Sequence, residues 1–256
     1  MGHTLNDILT MDVYRFMLIF TRVGTALMMF PGFSGALFPV RTRLLLGLVI
    51  SFALLPVIGA LIPRPPSHVG ALIAIIFGEV TAGTYLGLVT QIMMGALSIA
   101  GTFIGFQIGL TNAFSFDSVA AQQSSTMTAF LSNLALMAIF TTDLHHLMLR
   151  ALADSYATFG PGMALPLDGF METIGHLMSD SFGFGVRLAS PVIAFGLIYY
   201  AGLGLMARLS PQIQVFFIVM PIQVLSGFMV FSLGLAMMIH LFLQWFESGL
   251  IPFLNN

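Results

Sequence analysis

The chain of 256 residues is 58% hydrophobic and 7% charged, whereas about 25% of the residues of a soluble domain are charged. Its net charge of −2 argues against nucleic-acid binding, which requires a basic surface. The absence of cysteine excludes disulfides, thiolate metal sites and cysteine nucleophiles.

Two long stretches contain no Asp, Glu, Lys or Arg: one lies between Val80 and Phe116, the other between Leu209 and Phe246. A charge at the bilayer centre costs about 2.5–3.5 kcal/mol on insertion scales, so such stretches are typical of lipid-embedded segments. The apolar runs are continuous and lack the alternation of a barrel strand. We therefore predict an all-α, polytopic membrane protein with six to seven long helices.

Apolar runs close to the roughly 20 residues of a membrane span predict helices, in chain order, at 13–30, 44–62, 69–94, 95–110, 126–148, 186–207 and 213–246. The longest break, Gly160 to Pro166, predicts a division into 1–165 and 166–256. As one helix, residues 69–110 would be about 60 Å long, so we expect this run to turn, bend or leave the hydrocarbon layer.

The C-terminal part carries three further signals. Residues 168–185 predict an amphipathic helix, with apolar and polar side chains on opposite faces. Ser210 and Pro211 have the residue types of a helix start. Pro221 predicts a kink or break in the last helix.

Three charged residues fall in predicted membrane helices: Arg15, Arg22 and Glu79. Arginines seven residues apart share a helix face, and charges at membrane depth face protein or water rather than lipid. We expect Asp12 to pair with Arg15, and Glu79 with one arginine, as structural ion pairs. A proton relay and interfacial anchoring are the alternatives.

Glycines recur at four-residue spacing within residues 83–109. Small residues at this interval let helix backbones approach closely in lipid. We predict that these positions pack helices, within the chain or against a partner: Gly83, Gly87, Gly101, Gly105 and Gly109.

Two patterns raise the question of catalysis or metal binding. Asp143, His145 and His146 offer ligand atoms, but neighbouring helix positions point about 100° apart, so we predict a helix end at the membrane interface and no metal site. Gly32-Phe33-Ser34-Gly35 matches a G-x-S-G motif of intramembrane serine proteases. With His240 as the only candidate base, a tight turn is the preferred interpretation.

A polar segment with two phenylalanines follows the glycine series. Non-helical backbone at membrane depth is tolerated only where it is buried in protein or lines water, and apolar constrictions can gate a pore by dewetting. The segment predicts either an ordinary external loop or a plug, formed by Leu110, Thr111, Asn112, Ala113, Phe114, Ser115, Phe116 and Asp117.

Several stretches, in their order and spacing, resemble one family, and they cover nearly the whole chain. They are 18–24 (LIFTRVG), 30–33 (FPGF), 38–43 (FPVRTR), 54–56 (LLP), 78–79 (GE), the glycines of 101–109 with Gln107, 154–156 (DSY) and 211–216 (PQIQVF). The chain is similar to the FliR/SctT family of type III secretion export-gate proteins. It departs from the family at Gln214, where relatives often carry Asn, and at Ser118, where they often carry Pro.

The resemblance implies a flagellar export-gate subunit of the bacterial inner membrane and basal body, without enzymatic activity or cofactor. It implies a FliP-like part at 1–165 with a plug loop at residues 110–117, and a FliQ-like helical hairpin at 166–256. The implied partners are FliP-like, FliQ-like and FlhA/FlhB-like proteins, membrane lipid and unfolded export substrates. A virulence-type injectisome subunit, a small-solute transporter and a protease using Ser34 are the alternatives.

Overall fold

The computed structural model describes residues 5–34, 38–109, 125–163, 166–209 and 215–254. Seven α-helices occupy these residues, and short 3₁₀ turns follow α2 and α7 at Gly59–Leu61 and Ile251–Phe253. The helices are α1 Leu5–Met29, α2 Val40–Ile58, α3 Val69–Gln107, α4 Ser125–Thr141, α5 Leu144–Thr158, α6 Leu167–Leu209 and α7 Val215–Leu250.

The prediction of an all-α, polytopic membrane protein is confirmed. Four helices are long and apolar enough to cross a membrane, namely α2 with its 3₁₀ turn, α3, α6 and α7. The α4–α5 pair, bent by 75°, is a fifth candidate if the two helices form one span. Helix α1 is not among the four, because its arginines and acids lower its apolar character.

Three predicted helix boundaries were wrong. Residues 69–107 form the single helix α3 of 39 residues, where two helices, 69–94 and 95–110, were predicted. No proline interrupts residues 69–107. The predicted helix 126–148 is broken before Leu144, where Asp143 adopts a left-handed backbone with φ 60°. Residues 168–185 and 186–207, predicted as separate helices, lie in the single helix α6. Helix α7 contains Pro221 without a break, and the kink expected there stays a prediction. Ser210 and Pro211 lie outside the described residues.

One compact unit comprises residues 1–92, 140–177 and 246–256. Gly83 lies against the backbone of Arg22, and Gly87 against Met29, so α1 and α3 approach closely at these two glycines. Tyr85 stacks on Phe170 at 3.9 Å between ring centroids, and Phe253 lies edge-on at 5.9 Å. The core of this unit is therefore assembled from segments far apart in sequence.

The second compact unit comprises residues 93–139 and 178–245. A Cβ placed on Gly101 would lie 2.6 Å from the Cα of Thr128 on α4. A Cβ on Gly185 would lie 2.5 Å from the carbonyl oxygen of Ala96 on α3. Gly105 makes an ordinary contact with Met127. Both units combine several chain segments, and the division at residue 165 stays a prediction.

We expect Gly101→Ala to destabilise the protein by about 1–3 kcal/mol, because the added methyl overpacks a backbone contact that cannot yield locally. Gly95→Ala is the matched control on α3, since a Cβ there meets nothing within 4 Å. Thermal unfolding of the detergent-purified variants measures the difference. Equal midpoints for the two variants would contradict the packing assigned to Gly101.

Candidate functional site

Arg22 is the centre of a polar cluster inside the first unit. Its Nε donates to Oε2 of Glu79 at 2.7 Å, and its Nη2 donates to Oε1 at 2.9 Å. Nη2 also donates to the carbonyl oxygen of Phe159 at 2.8 Å, and Nη1 to Oγ of Ser155 at 3.2 Å. The ring of Tyr156 lies 3.9 Å from the guanidinium carbon. One side chain of α1 therefore contacts α3, α5 and the segment after α5.

This ion pair is removed from solvent. The side chain of Arg22 is 1% exposed and that of Glu79 is 2% exposed. A bidentate guanidinium–carboxylate pair satisfies both groups geometrically, and removing one partner of a buried pair leaves an uncompensated charge. Because all three guanidinium nitrogens have acceptors, the geometry favours a structural tie over an ion relay.

A pocket of about 370 Å³ adjoins the pair. Arg22 and Glu79 form part of its wall, together with Thr81 on α3 and Gly160 and Gly162 of the α5–α6 connection. Apolar side chains form most of the remaining wall. The buried charges thus adjoin a cavity that is apolar over most of its surface.

Arg15 has a different environment from Arg22. Its Nη1 lies 3.4 Å from Oδ1 of Asp12, and both side chains are partly exposed. They line a broader groove of about 650 Å³ together with Phe52, Pro56 and Gly59. The two arginines share a helix face, but only Arg22 reaches a buried acid.

The C-terminus of α3 is held by a second polar cluster, in the second unit. Gly109 ends the helix with φ 81°, a left-handed conformation that glycine adopts without strain. The buried amide of Gln223 donates 2.9 Å bonds to the carbonyl oxygen of Gln107 and to the hydroxyl of Tyr200. The predicted plug, residues 110–117, begins directly after Gly109 and lies outside the described residues.

The bend between α4 and α5 brings together Asp143, His145 and His146. One candidate ligand atom from each residue lies within 4.8 Å of the others. The expectation that the two histidines diverge was wrong, since their ring centroids are 4.1 Å apart. The 100° angle separates Cα–Cβ directions, whereas rotation about the side-chain bonds lets neighbouring rings approach each other.

Ser34 is part of a hydrogen-bonded turn. The carbonyl oxygen of Phe30 accepts bonds from the backbone of Phe33 and Ser34. The Ser34 hydroxyl accepts a 3.2 Å bond from the amide of Gln91, and its carbonyl oxygen accepts one from Arg43. These partners favour the turn interpretation over a serine nucleophile.

Sequence reasoning gave no roles to Ser155, Tyr156, Tyr200 and Gln223. Each is a polar side chain within a mostly apolar helix. Such residues seek partners because an unpaired polar group is costly in an apolar surrounding. Their residue type could have marked them as candidates for buried hydrogen bonds. Their partners are distant in sequence and become visible only in the fold.

We expect Glu79→Ala to destabilise the protein by about 3–5 kcal/mol, because it leaves Arg22 buried without its counter-charge. The double variant Arg22→Leu/Glu79→Leu is expected to lose less stability than the sum of the single variants Arg22→Leu and Glu79→Leu. Thermal unfolding of purified protein measures the coupling. Asp12→Ala, which breaks the exposed pair, is the control and should cost less than about 1 kcal/mol. If the losses of stability from the two buried substitutions were strictly additive, a stabilising Arg22–Glu79 ion pair would be ruled out.

Comparison with known proteins assigns the chain to a family. The profile described as "Bacterial export proteins, family 1" matches residues 13–249. "Flagellar biosynthetic protein FliR" of Caulobacter vibrioides is 34% identical over 225 residues, covering 88% of this chain and 90% of the relative. The proteins of the same name in Bacillus subtilis and Pectobacterium carotovorum are 28% and 29% identical, covering 83% and 92% of this chain and 83% and 91% of the relatives.

The family profile, the full-length relatives and the apolar helices agree on a multi-pass membrane component of the flagellar export apparatus. The chain belongs to family 1 of the bacterial export proteins, the family that includes the flagellar biosynthetic protein FliR.

Proposed function

We propose that this flagellar export component forms, with FliP-like and FliQ-like subunits, a channel of the inner-membrane basal body through which unfolded flagellar subunits are exported. FlhA/FlhB-like proteins would contact the assembled gate. In this proposal the chain acts as a structural subunit rather than as an enzyme. Family membership supports the export role, and the apolar surface of α6 supports the need for partner subunits.

The observation that carries the proposal is the length of the exposed apolar surface on α6. Large apolar side chains are exposed in two parts of the helix, from Leu167 to Phe182 and again from Leu197 to Leu209. This helix has 43 residues and would be about 65 Å long at 1.5 Å per residue. A bilayer core is about 30 Å thick, and a tilt of about 40°, the upper end of the usual range, would still leave roughly 50 Å along the membrane normal.

The N-terminal part of α6 shows which surface of the helix needs a protein partner. Met171, Met178 and Phe182 are between 55% and 72% exposed and lie on one helical face. The other face carries exposed Glu172 and Asp180, which disfavour immersion of this part in hydrocarbon. A protein partner covers such an apolar face without burying the acids. We therefore assign this face to contact with a neighbouring subunit.

We also propose that residues 110–117 close the resting channel. The segment follows Gly109 directly. Gln223, which also binds the Tyr200 hydroxyl, donates a hydrogen bond to the last residue of α3. Phe114 and Phe116 would supply the apolar constriction that excludes water and ions. A fixed α3 end next to a polar, phenylalanine-containing segment supports the plug proposal.

Met171→Glu is expected to reduce co-purification of FliP-like and FliQ-like subunits at least severalfold, because it places a charge in an apolar protein interface. Ser179→Glu adds the same charge on the polar face and should leave co-purification unchanged. The amount of each variant in the membrane fraction separates lost assembly from lost insertion. If Met171→Glu assembles like the Ser179→Glu control, the proposed contact face is incorrect.

Deletion of residues 110–117 is expected to raise the ion conductance of the assembled complex in planar bilayers, because the apolar constriction is removed. Gln223→Leu should give a smaller increase by loosening the end of α3, and Gln244→Leu, at an exposed position of α7, should give none. Co-purification checks that the complexes are intact. Wild-type conductance in an assembled deletion complex would reject the plug.

A further inference from the structure

The bend between α4 and α5 has features that its helical packing does not require. Asp143 is the non-glycine residue with positive φ within the described part of the chain. Left-handed backbone at such a residue costs free energy and often marks a functional position. Asp143 also stands at the N-cap of α5, yet its side chain makes no capping hydrogen bond. Its carboxylate is thus directed elsewhere, with Oδ1 3.6 Å from Nδ1 of His146.

His145 supplies an independent observation. Its Nδ1 is buried and has no hydrogen-bond partner among the described residues. Its ring stacks on Phe140 at 4.9 Å between centroids, and Phe140 in turn contacts Phe33 at 5.8 Å. Aromatic packing therefore helps to hold the ring in place, and the His146 ring lies 4.1 Å away.

We propose that Asp143, His145 and His146 form a binding site for a first-row divalent transition metal, with Zn²⁺ as the representative ion. Two imidazole nitrogens and one carboxylate oxygen are a ligand set that such ions prefer, and water completes the coordination. The three candidate ligand atoms lie within 4.8 Å of one another. In tetrahedral geometry, ligand atoms about 2.0–2.2 Å from a shared ion are about 3.3–3.6 Å apart, so rotations about the side-chain bonds must bring the three atoms closer together to complete the site.

The ligand set disfavours Mg²⁺ and Ca²⁺. These ions prefer oxygen ligands, and this cluster offers a single carboxylate. All three residues lie within four consecutive positions, so the ion would join the residue before α5 to the first turn of that helix. The bound metal would thereby fix the start of α5. This role is separate from the export function proposed above, and neither depends on the other.

The test is metal binding by the full chain, purified in detergent with a tag that contains no histidine. Co²⁺ is the probe, because its visible absorption reports coordination by nitrogen and oxygen, and Zn²⁺ is the competitor. We expect one equivalent of Co²⁺ to bind and to be displaced by Zn²⁺. Asp143→Asn and His146→Ala should each weaken binding by at least about tenfold, the lower end of what perturbing even the outer shell of a metal site costs.

His176→Ala is the matched control. His176 lies near an acidic residue in the same way, with Nε2 3.9 Å from Oε1 of Glu172, and is equally exposed, but it has no third ligand in the described residues. The His176→Ala variant should bind Co²⁺ like the wild type. Because the Asp143 and His146 side chains are 76% and 71% exposed, their substitution should not unfold the protein, which circular dichroism verifies. Absence of stoichiometric binding, or equal binding by all three variants, would overturn the site.

Discussion

The mismatch between helix length and bilayer thickness is the constraint on which the account depends. Helices α3, α6 and α7 have 39, 43 and 36 residues, about 54–65 Å each, whereas lipid covers about 30 Å. Apolar side chains beyond that depth require protein around them. A subunit of an assembly satisfies this requirement, whereas a solitary transporter of the same sequence would expose apolar surface to water.

Internal cohesion comes from contacts that do not depend on the hydrophobic effect, which is weak between helices in lipid. Close approach at Gly83, Gly101 and Gly185 supplies dispersion contacts along α3. The buried pair of Arg22 and Glu79 supplies a directional tie in one unit. Such fixed contacts leave the outer faces of the helices available for neighbouring subunits.

Much of the fold follows from the sequence. Charge-free runs predicted helices in lipid, and the structure confirmed the fold class. The helix boundaries were less predictable. The absence of proline permits a continuous helix over residues 69–107, but the length of the run favoured a break. The bend at Asp143 depends on a left-handed residue that propensity alone does not indicate. Ser155 and Gln223 gained roles only from partners far away in sequence. Long-range partners are set by packing, and a local pattern does not contain them.

Site-directed cysteine labelling tests the central claim most directly, because the chain contains no native cysteine. A single cysteine at Met171, on the apolar face of α6, would be treated with a membrane-impermeant maleimide. The account predicts rapid labelling in the chain expressed alone and protection when FliP-like and FliQ-like subunits are co-expressed. Equal protection in both states would show that lipid or the chain itself covers this face, and would contradict the account.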